Sequence, residues 1–314
     1  MKKFIKNFKQ LTKKDVDVAG GKGASLGEMT NNKIPVPPGF VLLASAFDRF
    51  LEEVDLTQEI QAKLSKVNYN DINSVEKVSQ SIRDLIHDAK MPKDLEEEIK
   101  ADFKKLKTKY VAVRSSATAE DSDIASWAGE LESYLNTTEK TLLVNVKKCW
   151  SSLFTSRAIF YRKEKDLVDA HVSVAVVIQT MIESEISGIA FTVHPVTQDR
   201  NQMIIEAGWG LGEAIVSGSI TPDAYVINKT DWSLIDVNIA EQTKEITRNG
   251  EKGVKWTIVA KAKQAKQKLS GAQIIGLSKL CDNIERHYKK PQDIEWAYRG
   301  KKFYIVQSRP ITTL

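Results

Sequence analysis

The residues most suited to chemistry lie in the last two apolar stretches. In Asp293-Ile294-Glu295-Trp296-Ala297-Tyr298 a two-residue period puts Ile294, Trp296 and Tyr298 on one strand face and Glu295 on the other. In Phe303-Tyr304-Ile305-Val306-Gln307-Ser308-Arg309, Gln307 and Arg309 share a face. A three-residue hairpin loop, Gly300-Lys301-Lys302, predicts Glu295 opposite Gln307; a one-residue change in the loop would separate the two faces. A carboxylate beside an amide oxygen presents hard oxygen ligands, and Mg²⁺ takes one or two of these together with phosphate oxygens and water. Arg309 adds a guanidinium that can grip phosphate with two parallel hydrogen bonds. The competing reading is a surface ion pair between Glu295 and Arg309, in which the amide of Gln307 has no natural part.

Three other segments have weaker chemical content. Ala19-Gly20-Gly21-Lys22-Gly23-Ala24-Ser25-Leu26-Gly27 surrounds a lysine with glycines, which would let backbone approach a ligand while Lys22 contacts a phosphate. It is not a Walker loop: Gly23 follows the lysine where Ser or Thr is required, and Val16 stands where the first glycine should be. Leu26 at the third glycine position also excludes a dinucleotide fingerprint. A flexible turn with a solvated lysine fits the segment equally well. Val113-Arg114-Ser115-Ser116-Ala117-Thr118-Ala119-Glu120-Asp121 sets small hydroxyl residues and one arginine at the end of a strand, which suits an anion. An ion pair of Arg114 with Glu120 or Asp121 is the structural alternative. Ala207-Gly208-Trp209-Gly210-Leu211-Gly212-Glu213 reads as a tight structural turn.

The elements that must position these residues follow from pattern. The chain has 314 residues, which predicts two lobes, and 42% hydrophobic with 28% charged residues places it among ordinary water-soluble proteins. No apolar run reaches membrane-spanning length, and the basic start lacks the apolar core of a signal peptide. Two distant cysteines, Cys149 and Cys281, predict a reducing, cytoplasmic setting and no disulfide framework. A net charge of +5 is too mild, and its lysines too interleaved with acids, to predict a nucleic-acid surface. Residues 45–109 look helical: Val75, Val78, Ile82, Leu85 and Ile86 keep helical spacing behind a Ser74 N-cap, and Leu95, Ile99, Phe103 and Leu106 follow Pro92. A strand at 110–113 and one long helix over 140–163 come next. Strands are expected at 172–178, 186–192, 202–206 and 224–228, a turn at Asn249-Gly250, a helix over 271–289, and closing strands at 293–298 and 303–309. The first forty residues read as turn-rich.

Taken in order, Gly20-Gly21-Lys22-Gly23-Ala24-Ser25-Leu26-Gly27-Glu28-Met29, Pro37-Pro38-Gly39-Phe40, Val113 to Asp121, Trp209 to Glu213 and Val306-Gln307-Ser308-Arg309-Pro310 closely resemble the nucleotide-binding domain of the phosphoenolpyruvate synthase, pyruvate phosphate dikinase and rifampicin phosphotransferase family. The resemblance runs over nearly the whole chain. It implies an α+β ATP-grasp fold, with ATP in the cleft between two lobes. Residues 1–182 would form the first lobe, with a helical insert at about 45–109, and residues 183–314 the second.

By matching motif positions the resemblance gives Lys22 and Arg114 as phosphate contacts, Gly129 and Ser133 as the lining of the phosphate region, and Gln179 as a neighbour of adenine. It gives Glu295 and Gln307 as ligands of nucleotide and Mg²⁺, and Arg309 as the holder of the transferred phosphate. Lys22, Arg114 and Arg309 would be the catalytic cations. Ser133 stands where threonine is common, and His194 where Asp or Asn is common, which leaves a local polar contact there open. The partners implied are ATP, a phosphohistidine carrier domain and an acceptor domain. None of the four histidines, His87, His171, His194 and His287, sits in a carrier-type loop. The expectation is therefore a split-enzyme subunit or an excised domain. The alternatives are the nucleotide domain of a rifampicin phosphotransferase and a regulatory nucleotide binder.

Overall fold

The computed structural model describes residues 4–118, 132–167, 172–250 and 253–312. It is a mixed α+β protein that divides into two compact units. One comprises Met1–Glu28 and Pro38–Met181, the other Met29–Pro37 and Ile182–Leu314.

The first unit contains β1 (Ile5–Asn7), most of α1 (Val16–Asn31), β2 (Gly39–Leu42), four helices α2 (Ala44–Glu53), α3 (Thr57–Leu64), α4 (Ile72–Asp88) and α5 (Lys93–Lys105), then β3 (Val111–Ala117), β4 (Ser133–Thr137), α6 (Glu139–Ser151), α7 (Ser156–Glu164) and β5 (Val174–Thr180). Its sheet has the order β1-β2-β5-β3-β4. Alternation along the strands divides two faces. Phe40, Leu42, Val111, Val113, Val174, Val176 and Ile178 point into a core shared with Phe47, Phe50, Ile82, Ile86, Val146 and Trp150 of the helices. Ala112, Arg114, Ser116, Val177 and Gln179 therefore point the other way.

Three expectations change here. The glycine segment is not a loop: it lies within α1, which is kinked at Gly20 (φ 68°, ψ 170°). A Cβ on Gly20 would lie 2.4 Å from the carbonyl oxygen of Ser116, and one on Gly23 3.1 Å from a methyl of Val41. The glycines thus let the helix lie directly on the Arg114 face of the sheet. The N-cap of α4 is Asp71, whose carboxylate accepts from the amide of Asn73, and not Ser74, whose hydroxyl accepts from Asn68. The helix expected over 140–163 is interrupted by a 3₁₀ turn at Ser152–Phe154, and Thr155 caps α7 by accepting from the amide of Ala158. Hydrophobic period alone could not show that break, because the buried residues continue through it.

The second unit contains β6 (Ile186–Phe191), β7 (Gln202–Trp209), α8 (Glu213–Val216), β8 (Asp223–Asn228), β9 (Leu234–Asn238), the hairpin strands β10 (Lys244–Arg248) and β11 (Val254–Ile258), α9 (Lys261–Gln264), α10 (Gly271–Tyr288), β12 (Gln292–Arg299) and β13 (Lys302–Pro310). Its main sheet is six-stranded, β13-β12-β6-β7-β8-β9. Met203, Ile205, Ala190 and Ile294 are fully buried on the side where α10 contributes Ile274, Leu277, Cys281 and Ile284. Pro35 accepts from the amide of Ile305, so a proline-rich segment covers part of the β13 edge, where its missing N–H groups discourage further pairing.

Candidate functional site

In the second unit the face turned away from α10 carries the polar residues. Glu206 of β7 pairs with Ile189 of β6, Ile189 with Glu295 of β12, and Glu295 with Gln307 of β13. These four positions form one row across the sheet. The next row places Phe191 beside Asp293 and Asp293 opposite Arg309.

Glu295 faces Gln307 as expected, but for a different reason. The hairpin loop has two residues, Gly300 (φ 56°) and Lys301 (φ 62°), with Arg299 paired to Lys302. Positive φ at both positions suits a primed turn matched to strand twist. A bulge between Glu295 and Trp296 then adds one residue on β13, so Trp296 pairs with Ile305 while Glu295 pairs with Gln307. The bulge shifts the alternation. Ile305 is fully buried, and Gln307 and Arg309 join the row of carboxylates.

Arg309 pairs with Asp293, its register partner. Its Nε and Nη2 donate to Asp293 Oδ2 at 2.8 and 2.7 Å. Burial nevertheless pushes the Asp293 carboxyl above the ordinary range; Arg309 opposes this shift and the charge of Glu295 adds to it. Glu206 is raised by burial first and by the charge of Asp293 second. Glu206, Asp293 and Glu295 thus bring three carboxylates to one sheet face, a grouping whose mutual repulsion a cation would relieve. Among the described residues no three acidic, histidine or cysteine side chains form a metal cage. A magnesium ion carried in by phosphates needs no cage, and the Glu295–Gln307 pair meets its requirement for one or two protein oxygens.

The raised pKa of Glu206 makes a prediction. Its folded-state value lies above the ordinary 4.5, so the protonated form is favoured in the fold. The stability it contributes is complete below that ordinary value and is lost as pH rises through the folded value. Glu206→Gln mimics the protonated state. It is expected to raise the melting temperature at neutral pH and to lose that advantage in acid. Superimposable neutral melts would show that solvent already screens the charge.

In the first unit Arg114 and Ser133 are Cα partners between β3 and β4, and Gln179 pairs with Ala112 and Gly39. All lie on the face that α1 covers. Because Gly20 breaks the helix, Lys22 sits in the first turn of the segment that follows. There, backbone amides without intrahelical partners and the positive end of the dipole favour an anion. The amide of Gly23 donates to Ser116 Oγ at 3.3 Å. Gln179 is 2% exposed, and its side-chain nitrogen has no hydrogen-bond partner among the described residues. A buried donor of that kind asks for an acceptor from a ligand. Gly129, and the acids Glu120 and Asp121 weighed as partners of Arg114, lie outside the described residues.

The remaining motifs are structural. Gln242 clasps the loop after β7: its Oε1 accepts from the amide of Trp209 at 2.8 Å and its Nε2 donates to Trp209 O at 3.0 Å. Ser184 and Ser187 both donate to Gly210 O, and a Cβ at Gly210 (φ 87°) would meet Ile246 O at 2.6 Å. His194 supplies the polar contact left open above. Its Nδ1 accepts from the amides of Val196 and Thr197 at 3.3 and 3.1 Å, the part an Asp or Asn oxygen plays in such turns. Glu206 was missed in sequence. Its one signal was a carboxylate at the inner end of an apolar strand.

A row of carboxylate and amide oxygens in one unit, and in the other a helix start on the sheet face that carries Arg114, are features suited to domains that bind a phosphorylated ligand. The pyruvate phosphate dikinase AMP/ATP-binding domain family matches residues 16–314, and the chain belongs to that family. Over 99% of its length the chain is 45% identical to a probable phosphoenolpyruvate synthase of Methanocaldococcus jannaschii, of which it covers 27%. It is 47% identical to one of Archaeoglobus fulgidus, over 96% of this chain and 41% of that protein. It is 36% identical to a rifampicin phosphotransferase of Bacillus subtilis, over 100% of this chain and 36% of that protein. The chain thus spans less than half the length of these relatives.

Proposed function

We propose that the chain binds Mg·ATP and, as the first half-reaction of a phosphoenolpyruvate synthase, transfers the β-phosphoryl group to a histidine on a separate carrier domain; AMP is the leaving group, and the γ-phosphoryl group passes to water as inorganic phosphate. In this reading the fold is an ATP-grasp, with residues 1–182 and 183–314 as its lobes and the nucleotide in the cleft between them. Lys22, Arg114, Gly129 and Ser133 contact phosphates, Gln179 reads the adenine, Glu295 and Gln307 bind Mg²⁺ and nucleotide, and Arg309 holds the transferred group. The observation that carries the reading is the Glu295–Gln307 row with Arg309 beside it. The side-chain nitrogen of Gln179, without a partner among the described residues, supports the nucleotide.

Phosphoryl transfer is largely positioning and charge neutralisation, so these groups suffice and the chain need supply no covalent chemistry of its own. Asp293 orients Arg309 by the paired bond to Nε and Nη2. The imidazole nucleophile comes from the carrier, and the final acceptor, pyruvate or another compound, binds an acceptor domain. ATP labelled at the β-phosphate is expected to label an added carrier domain and to give AMP only in its presence. Label on this chain alone would refute the scheme. ATP binding without transfer to any carrier would favour a regulatory nucleotide binder.

A further inference from the structure

Behind the Ser133 strand a charged network comes in from the helical segment. Arg83 of α4 donates from Nη2 to Glu132 Oε1 at 3.0 Å, and the Tyr134 hydroxyl donates to the other oxygen of the same carboxylate. The Glu132 carbonyl accepts from the Ser115 amide at 3.1 Å and from the Ser115 hydroxyl at 2.8 Å. Residue 132 is thus gripped through both side chain and backbone just where β4 begins. The next residue, Ser133, is the Cα partner of Arg114. Tyr134 pairs with the core residue Val113, so Glu132 and Tyr134 occupy the rear of the sheet while Ser133 and Arg114 occupy the front.

The arrangement is costly for a part with no task beyond packing. The Arg83 and Glu132 side chains keep only 25% and 30% of their exposure, and Arg83 Nε is buried with no hydrogen-bond partner among the described residues. Desolvating a donor without a partner is unfavourable, and an apolar pair would fill the same space without that penalty. Burial pushes the thiol of nearby Cys149 up; the charge of Glu132 adds to the shift and that of Lys22 opposes it.

We infer that Glu132, held by Arg83 and Tyr134, is a positioning residue for the phosphate end of the nucleotide site, setting Ser133 against Arg114. This rests on the nucleotide reading given above. It assigns the helical segment a role in the site: α4 sets the front of the sheet by gripping its rear. The network should bear on the β- and γ-phosphates and leave the adenine end, at Gln179, unaffected.

Calorimetric titration of the full chain with Mg·ATP and, separately, with AMP tests this. Glu132→Gln keeps the shape and an oxygen for Arg83 but removes the charge; Arg83→Met keeps the stem. Both variants are expected to lose ATP affinity by about tenfold or more, the usual effect of removing a group that orients a ligand-binding residue, while AMP affinity stays within about twofold and melting curves stay cooperative. Tyr134→Phe should give a smaller loss in the same sense, and it decides the matter with Glu132→Gln if Arg83→Met does not fold. Equal weakening of ATP and AMP would reduce the network to general structure and overturn the inference. So would unchanged ATP affinity in both variants of a chain whose wild type binds ATP. A wild type that binds no ATP defeats the nucleotide reading itself.

Discussion

Glu295→Ala leaves the chain folded and abolishes Mg-dependent ATP binding at ordinary nucleotide concentrations. Glu295 stands between Ile189 and Gln307 in the strand row, and its charge is one of the factors that raise the Asp293 carboxyl. Without a metal, the substitution removes the like charge that helps raise Asp293, and a cooperative melting curve checks that the fold is kept. With a metal, the same substitution removes the anionic ligand and leaves only the Gln307 amide. Loss of a charged contact of this kind costs about 2–4 kcal/mol, roughly 30- to 1000-fold in Kd. Glu295→Gln separates charge from shape: it restores the side-chain volume but not the affinity. Calorimetry with and without Mg²⁺ provides the comparison. An unaltered Mg·ATP affinity in Glu295→Ala would take this residue out of the site.

Lys268→Met unfolds the second unit more readily than any surface change. Lys268 and Asp223 are both fully buried and meet at 2.7 Å. Every oxygen of the carboxylate is occupied. Oδ1 accepts from Lys268 Nζ and the Ala240 amide, and Oδ2 from the Lys268 amide and the Tyr225 hydroxyl. Lys268 Nζ also donates to Ala240 O, and Tyr225 accepts from the amide of Leu269. The network fastens β8 to the segment that leads into α10, the helix packed against the sheet carrying Glu206 and Glu295. Removing one partner strands a buried charge, which costs about 3–5 kcal/mol. Urea titration should show that loss, and the double variant Asp223→Asn with Lys268→Met should recover part of it, because neither charge then remains. A single-variant loss under about 1 kcal/mol would mean that water enters and solvates the carboxylate.

Much of this protein was readable from local pattern. The helices between 45 and 109, the helix over 271–289 and the strands after 172 follow from the period of their apolar residues, because each buries one face and nothing interrupts the repeat. The Glu295–Gln307 opposition was also readable, though through a compensating pair of errors. The expected loop was one residue too long, and the bulge at Val306 added that residue back on the strand. Turn chemistry marks Gly300 and Lys301, but no sequence signal marks the bulge, which arises where Ile305 and Gln307, two residues apart, must face opposite sides of the sheet.

Composition misled at the glycine segment. Glycines usually punctuate loops, and only the sheet beneath α1 explains them here. Gly20 and Gly23 lie where a side chain would strike Ser116 or Val41, a close approach that exists only once the strands are assembled. The same holds for the partner choices. Arg309 meets Asp293 because strand register sets them opposite one another. Gln242, Lys268 and Glu132 became visible only when distant segments met.

By itself, the sequence determined the kinds of elements, the order of the family's motifs and which residue types were available to hold phosphate and metal, because these depend on neighbours along the chain. Tertiary structure alone decided which carboxylates share a face, which cation each one holds and which glycines must stay bare. Those depend on register, on a bulge and on the distance between packed surfaces, and pairings between separate segments of the chain leave no trace in local periodicity.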